Sequence, residues 1–180
     1  MSAPGPATTD AGTGDGSPTT AAPTVDDGAR LWEIAEASRV LDVNSRYAYV
    51  LWCRDFAATS IVARLGDRVV GFITGYRRPE QPDTLFVWQV AVHEDARGRR
   101  VAAVMLDDLV TRVGLPFMET TITDDNAASI AMFSGLAERR DAHVERTTLF
   151  DRTVLGAEHD PEFLYRIGPM TLISQTLMRG

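Results

Sequence analysis

The sequence predicts an α/β domain built on a mixed sheet, with helices on both of its faces. Apolar runs of strand length alternate with amphipathic stretches of helix length from residue 30 onward. A chain of 180 residues with 44% hydrophobic residues is long and apolar enough for one domain with a substantial core. The sequence shows no internal repeat that would favour a solenoid instead.

Each element is predicted from local spacing and from the residues at its ends. Apolar residues at helical spacing predict helices at 31–41, 45–58, 101 to about 114, and 126–138. Short runs rich in β-branched and aromatic residues predict strands at 60–65, 68–76, 85–92, 117–122 and 144–149. Gly66-Asp67 joins the first two strands as a hairpin signal, and the segment PEQPD is a loop.

The two ends of the chain differ in composition from its middle. Residues 1–28 are mostly Ala, Pro, Thr, Gly and Ser, which cannot offset the entropy of ordering, so we expect a disordered tail. The domain is then expected to span 29–168. Residues 169–180 form a C-terminal tail that is apolar enough to cover either a partner or the protein's own core.

Charge and composition exclude several classes of function. The net charge of −7 and the pI near 4.9 argue against nucleic-acid binding, which favours a basic face. All 18 basic residues are Arg, so chemistry that needs a Lys amine is excluded. The single cysteine, Cys53, rules out an intrachain disulfide and a zinc cluster of several thiolates, and we expect no metal.

Two further expectations concern the role of Cys53 and the location of the protein in the cell. Cys53 lies in the apolar stretch YAYVLWCRDF, where a buried thiol that packs as a small hydrophobe is favoured over a nucleophile that carries an acyl group. No basic residue precedes Arg30, and no apolar run approaches membrane-spanning length. We therefore expect a cytoplasmic protein with no membrane partner.

The segment LFVWQVAVHEDARGRRVA, residues 85–102, is the most informative in the chain. A buried strand runs into a charged turn and then a helix, whose first amides lack internal partners and lie at the positive end of the helix dipole. A phosphate group fits at such a position. The turn supplies guanidinium donors as well, so the expected ligand carries a diphosphate, although an Arg-rich turn without a ligand is the alternative reading. The expected contacts are Arg97, Gly98, Arg99, Arg100, Val101 and Ala102.

This turn resembles the acyl-CoA signature of the GNAT superfamily of N-acetyltransferases. Arg97 and Ala102 match the ends of the signature, whereas Arg100 stands where glycine is usual. The segment DDNAASIAMF resembles a second superfamily segment near the cofactor, with Asn126 and Ser129 in the matching places. The resemblance implies that acetyl-CoA is the co-substrate.

The resemblance also implies how the thioester would be held. The backbone N–H groups of Val90 and Val92, on the fourth strand of the fold, would face its carbonyl and stabilise the oxyanion. Phe133 stands where many members of the superfamily have the tyrosine that protonates the leaving thiolate. The thiolate then leaves with help from water, or another hydroxyl such as that of Tyr47 serves as the acid.

Longer segments resemble one family within the superfamily, the L-2,4-diaminobutyrate acetyltransferases of ectoine biosynthesis. The similarity extends over about residues 31–167, and its most specific pieces are DVNSRY, LFVWQVAV and HDPEFLYRI. It implies acetyl transfer to the γ-amine of L-2,4-diaminobutyrate, a role in osmotic stress, and a homodimer. Acetylation of lysine, ornithine or a polyamine is one alternative, and a non-catalytic module that binds acyl-CoA or an amino acid is another.

The segments specific to that family contain the candidate acceptor residues. Asp42 or Glu162 could hold the α-ammonium group, with Tyr47 nearby and Trp88 as a wall of the site. For Asp42 the competing role is an N-cap of the helix at Ser45, and for Glu162 it is a solvated surface charge.

The proposed reaction also needs a base, since an alkyl ammonium with a pKa of about 10.4 is almost fully protonated at pH 7. His159 is the candidate general base because it neighbours Glu162 and because its ordinary pKa, about 6.5, suits proton transfer. His93 comes second, and His143 resembles an ordinary exposed residue. For each histidine a structural role is the competing interpretation.

Overall fold

The computed structural model describes residues 16–39, 41–156 and 158–171. Within these ranges the chain forms a seven-stranded sheet and five α-helices. The strands are β1 (Thr19–Ala21), β2 (Ile61–Leu65), β3 (Arg68–Arg77), β4 (Thr84–Val92), β5 (Phe117–Ile122), β6 (Val144–Phe150) and β7 (Glu162–Ile167). The helices are α1 (Gly28–Ser38), α2 (Arg46–Asp55), α3 (Val101–Val113), α4 (Ala127–Arg139) and α5 (Arg152–Leu155).

The sheet is mixed, as the sequence predicts. Its strand order is β1-β2-β3-β4-β5-β7-β6, and every neighbouring pair is antiparallel except β4 with β5. A parallel pair requires a crossover, and α3 provides it. The chain therefore leaves the end of β4, turns into α3, and returns to begin β5 beside the start of β4.

The predicted helices on both faces are confirmed by two hydrophobic clusters. On one face α1 and α2 pack over Val62, Val69, Phe72 and Ala91 of the sheet. On the other face α3 and α4 cover the larger cluster, which includes Ile73, Leu85, Val87, Met105 and Leu136. None of the helices in the described ranges is long and apolar enough to cross a membrane.

The prediction of a disordered tail over 1–28 is wrong for its last part. Residues 19–21 form β1 on the edge of β2, residues 25–27 form a 3₁₀ turn, and α1 already begins at Gly28. Polar contacts replace apolar burial here: Asp27 is buried and pairs with Arg64 at 2.6 Å, and the Thr20 hydroxyl donates to Asp108 at 2.7 Å. Residues 1–15 lie outside the described residues.

Two elements at the C-terminal end were not predicted. The segment HDPEFLYRI contains β7, which inserts between β5 and β6, and a short helix, α5, precedes it. Of the expected tail at 169–180, only 169–171 are described. Met170 is buried against the larger cluster, and its N–H donates to the Pro116 carbonyl at 2.7 Å, so this part covers the protein's own core.

Candidate active site

Strands β4 and β5 pair only along their first halves. The register runs from Thr84 opposite Phe117 to Val87 opposite Thr120, whereas β4 continues to Val92. A bulge lies at the same level, because Thr74 and Gly75 of β3 face Gln89 and Val87, which leaves Trp88 as the extra residue. The second half of β4 therefore borders a gap on its β5 side.

The backbone direction beyond this bulge identifies which amides face the gap. The His93 N–H donates to the Val70 carbonyl of β3 at 2.8 Å, and the Gln89 N–H donates to the Thr74 hydroxyl at 3.2 Å. Amides alternate sides along a strand. The N–H groups of Val90 and Val92 therefore point away from β3, toward the gap.

The turn that follows β4 presents its guanidinium groups to solvent. Residues 97–100 are exposed, and Gly98 and Arg100 adopt left-handed backbone conformations with φ of +76° and +58°. Arg100 is the N-cap of α3, and the Val104 N–H donates to its carbonyl at 3.0 Å. The amides of Val101 and Ala102 precede this first helical bond, so they belong to the helix end that lacks internal partners.

The α4 N-terminus follows β5 in the chain and carries the second segment that the sequence analysis assigns to the cofactor. Asn126 is its N-cap, and the side-chain oxygen accepts a hydrogen bond from the Ser129 N–H at 3.1 Å. Phe133, one turn further along, is 2% exposed and packs in the larger cluster. This buried position suits an aromatic ring. The phenylalanine side chain has no proton to donate to a leaving thiolate.

A cavity of about 530 Å³ lies on the opposite face of the sheet, beside α2. Its wall combines an aromatic side, contributed by α2, β3 and β4, with a polar base on β5 and an apolar rim on β6 and α5. The lining residues are Trp52, Tyr76, Arg78, Phe86, Trp88, Glu119, Thr121, Leu149, Phe150, Leu155, Glu162 and Leu164.

The aromatic side of the cavity is a connected set of rings. Trp52 lies 4.7 Å from Trp88 and 4.5 Å from Phe56 between ring centroids, and Tyr76 lies 5.1 Å from Phe86. Trp88 is 40% exposed, and its position at the bulge turns this ring toward the cavity. Trp88, which the sequence analysis proposes as a wall of the acceptor site, therefore lines this cavity.

Two carboxylates line the cavity, and their surroundings differ. Glu119 is 2% exposed and is held between two arginines, Arg78 at 2.8 Å and Arg166 on its other oxygen. Glu162, at the start of β7, is half-buried, and among the described residues it makes no ion pair. Glu162 is therefore the carboxylate that remains for a cationic ligand.

The loop before α2 approaches the cavity through a buried polar link. Ser45 caps α2 by accepting from the Ala48 N–H at 3.3 Å, which removes the capping role considered for Asp42. Buried Gln89 donates to the Asp42 carbonyl at 3.0 Å and accepts from the Tyr49 hydroxyl at 3.0 Å. Burial raises the pKa of Tyr49, so its hydroxyl keeps its proton for this bond.

The remaining acceptor candidates lie outside the cavity wall. Asp42 is exposed, and Tyr47, in the first turn of α2, is 71% exposed. Their neighbours Asn44 and Ala48 line a small cleft together with Trp52 and Trp88. The loop thus adjoins the aromatic side of the cavity without contributing either predicted side chain to it.

The three histidines occupy different surroundings. His159 is exposed in the turn after α5, where its N–H donates to the Gly156 carbonyl at 3.1 Å, and it is not among the cavity residues. His93 lies at the end of β4, within 3.1 Å of Arg68 and 3.3 Å of Asp95. His143 is exposed, as expected.

Cys53 is 2% exposed, on the inner side of α2. Burial, together with the charge of Asp27, raises the pKa of its thiol to about 11. The thiol is therefore neutral near pH 7, and the interpretation of Cys53 as a small core residue agrees with this environment. Within the described part of the chain, no group of three or more His, Cys, Asp or Glu side chains is arranged to hold a metal ion.

Sequence reasoning missed the polar base of the cavity. Arg78 follows β3, whereas Glu119 and Thr121 lie on β5, and each alone resembles an ordinary polar residue. The available signal was Glu119 itself, the one charged residue within the predicted strand FMETTI.

Comparison with known proteins identifies the family of this chain. The acetyltransferase (GNAT) family matches residues 28–136, and the chain belongs to this family. Its relatives include the L-2,4-diaminobutyric acid acetyltransferases of Streptomyces coelicolor, 57% identical over 155 residues, and Nocardia farcinica, 53% identical over 152 residues. The alignments cover 83% of this chain in both cases, and 91% and 79% of the respective relatives.

A solved structure gives the same placement within the family. The diaminobutyrate acetyltransferase of Paenibacillus lautus, in complex with L-2,4-diaminobutyric acid and coenzyme A, superposes with a TM-score of 0.80 at 36% identity. The match covers 84% of this chain and 95% of that one. Within the GNAT family, the chain therefore belongs with the diaminobutyrate acetyltransferases.

Proposed function

We propose that this protein transfers the acetyl group of acetyl-CoA to the γ-amine of L-2,4-diaminobutyrate, the acetylation step of ectoine biosynthesis. The product is N4-acetyl-L-2,4-diaminobutyrate. The observation that carries the proposal is a cavity, ample for an amino acid, beside the level at which β4 leaves β5, because an amine in the cavity could reach a thioester in the gap. The relatives named above support the choice of acceptor.

The anion-binding turn is assigned to the diphosphate of acetyl-CoA. The amides at the start of α3 and the exposed guanidinium groups of Arg97, Arg99 and Arg100 are suited to phosphate oxygens. The α4 N-terminus, at Asn126 and Ser129, would flank the remainder of the cofactor. The gap between β4 and β5 then receives the thioester arm.

The open half of β4 is assigned to the thioester carbonyl. Attack by the amine nitrogen on the carbonyl carbon places a negative charge on the oxygen, and the N–H groups of Val90 and Val92 would donate to it. Such a donor contributes about 3 kcal/mol to transition-state stabilisation in other enzymes. The carbon–sulfur bond then breaks and the electron pair leaves with sulfur.

Two protons must move during this reaction. The ammonium group has to lose one before attack, and we assign its binding and deprotonation to Glu162, whose carboxylate lines the cavity without an arginine partner. The apolar aromatic side favours the neutral amine, because desolvation lowers the pKa of an ammonium group. Once the carbon–nitrogen bond has formed, the nitrogen loses its second proton. Because Phe133 is in the core, we assign to water the transfer of this proton to the leaving thiolate.

The other candidates receive supporting roles. Asp42 and Tyr47 lie on the loop and helix turn that adjoin Trp88, and they are proposed to contact the acceptor at the mouth of the cavity. His159 precedes Glu162 by three residues and is proposed to relay the proton from that carboxylate to solvent.

The test measures CoA release with L-2,4-diaminobutyrate, L-ornithine, L-lysine and spermidine as acceptors. The highest kcat/KM is expected for L-2,4-diaminobutyrate, and Glu162→Gln is expected to reduce it. A higher kcat/KM for another amine would show that this other amine, rather than L-2,4-diaminobutyrate, is the acceptor. Binding of acetyl-CoA in calorimetry without any CoA release would instead favour a non-catalytic module. Parallel double-reciprocal lines with an isolable acetyl-Cys53 would contradict direct transfer.

We also propose a cytoplasmic homodimer. Strand β6 is the outer strand on its side of the sheet, and all seven of its residues are exposed, including Val144, Leu149 and Phe150. An exposed, partly apolar edge strand is well suited to pairing with another chain. Light scattering is expected to give twice the mass of the chain, 19.7 kDa, and a monomer would contradict the proposal.

A further inference from the structure

The ion cluster at the base of the cavity, formed by Arg78, Arg166 and Glu119, holds two positive charges and one negative charge. Both oxygens of Glu119 are paired, one with Arg78 and one with Arg166. Arg166 alone neutralises the single charge of Glu119. The second guanidinium group is therefore in surplus, and it is Arg78 that lines the cavity.

The position of Arg78 leaves part of its guanidinium group available. Its Nη1 donates to Glu119 at 2.8 Å and to the side-chain oxygen of Gln81 at 3.1 Å. Both of these bonds use Nη1. Among the described residues, the N–H groups of Nε and Nη2 therefore remain available to donate to a ligand. The side chain is 31% exposed, against 3% for Glu119, so the free side of the guanidinium group is accessible from the cavity.

The cavity thus offers one arginine and one unpaired carboxylate, Glu162, inside an aromatic enclosure. L-2,4-diaminobutyrate carries the complementary charges, an α-carboxylate that Arg78 could bind and the γ-ammonium group that is assigned to Glu162. A simple diamine has no group for Arg78, and it would leave this guanidinium group desolvated without a new partner.

We propose that Arg78 binds the α-carboxylate of the acceptor and thereby selects an amino acid over a diamine of the same length. This inference rests on the proposed acetyltransferase function and names the group that determines its acceptor class. A guanidinium group donates two parallel hydrogen bonds to a carboxylate, which would also orient the substrate so that its γ-amine points toward the β4–β5 gap.

The test compares L-2,4-diaminobutyrate with 1,3-diaminopropane, which is the same molecule without its carboxylate. Arg78→Gln is expected to lower kcat/KM for L-2,4-diaminobutyrate by about 10- to 100-fold, the usual effect of losing a hydrogen bond to a charged group. The value for 1,3-diaminopropane should change by less than about threefold, because it never used that bond. Arg78→Lys should give an intermediate kcat/KM for L-2,4-diaminobutyrate, since an ammonium group keeps the positive charge but cannot donate two parallel hydrogen bonds.

Arg77→Gln is the matched control. This neighbouring arginine donates to the Pro82 carbonyl at 2.8 Å, is exposed and does not line the cavity. It should leave kcat/KM for both acceptors unchanged. If the wild-type protein does not turn over 1,3-diaminopropane, the inhibition constant of this diamine against L-2,4-diaminobutyrate is measured in its place.

Loss of Arg78 also leaves Glu119 with one partner, so folding is monitored by thermal unfolding. The double variant Arg78→Gln, Glu119→Gln removes both charges together and retains the selectivity test if the single variant is unstable. Equal losses for both acceptors would show that Arg78 only supports Glu119, which overturns the inference. A wild-type protein that does not acetylate L-2,4-diaminobutyrate would overturn the proposed function instead.

Discussion

The left-handed conformation of Arg100 gives a quantitative prediction about stability and cofactor binding together. Its φ of +58° is a conformation that costs a residue with a side chain roughly 1–2 kcal/mol and costs glycine almost nothing. Glycine loses about 0.5–1 kcal/mol through the greater freedom of its unfolded chain. Arg100→Gly should therefore raise the free energy of unfolding by about 0.5–1 kcal/mol, or about 1–4 °C in Tm.

The same substitution removes a guanidinium group from the proposed diphosphate site. An exposed ion pair contributes up to about 1 kcal/mol, so the KM for acetyl-CoA should rise by up to about fivefold while the acceptor KM changes little. Thermal unfolding and steady-state kinetics measure the two effects separately. Glycine at this position should make the protein more stable and its cofactor binding weaker.

Arg39→Gly is a matched control for this experiment. Arg39 is also an exposed arginine in the left-handed region, with φ of +57°, but it ends α1 and lies outside the 97–102 turn. It should give a similar gain in Tm with an unchanged KM for acetyl-CoA. A lower Tm for Arg100→Gly would refute the reasoning about its backbone, and an unchanged KM would show that Arg100 does not reach the diphosphate.

Three other perturbations test separate parts of the site. Combining Arg97→Ala with Arg99→Ala should raise the KM for acetyl-CoA by about 10-fold, with a smaller change for the acceptor, and equal changes would remove the turn from the cofactor site. Asp42→Asn should act on the acceptor KM alone, and a normal acceptor response would exclude Asp42 from the site. For Cys53, burial raises the thiol pKa from 9.0 to about 11, so the unfolded chain loses this proton first as the pH rises. The thiol's contribution to stability is fully present below pH 9. The free energy of unfolding of the wild type, measured in urea titrations relative to Cys53→Ala, should fall by about 2 kcal/mol by pH 11. A constant difference between these two proteins would contradict that burial effect.

Most of the fold could be predicted because local patterns and tertiary packing agree. The predicted strand at 117–122 has the observed bounds, and the helix at 126–138 differs by one residue at each end because Asn126 is its cap. Strand β7 was missed because its six residues are stabilised by pairing with β5 and β6, and such long-range partners leave no local signal. The order in residues 19–27 was missed because a ladder with β2 and an ion pair stabilise it rather than apolar burial.

The two sides of the candidate site also differ in how well the sequence predicts them. Most of the proposed cofactor side follows one continuous segment, from β4 through the turn to α3, so its order in sequence predicts its order in space. The acceptor side brings together residues of seven elements, and only Trp88 and Glu162 of the predicted set lie on the cavity wall. The pairing of Arg78 with Glu119 depends on β3 and β5 lying on either side of β4, and the local sequence pattern does not predict this strand order.

The most direct measurement is a crystal structure with coenzyme A and L-2,4-diaminobutyrate bound together, since this pair cannot react. The diphosphate should contact the amides and guanidinium groups of residues 97–102, with the coenzyme A sulfur in the gap beside Val90. The γ-nitrogen should face that sulfur from the cavity, with the α-carboxylate on Arg78. Coenzyme A bound away from the β4–β5 gap, or an amino acid outside the cavity, would contradict the proposed active site.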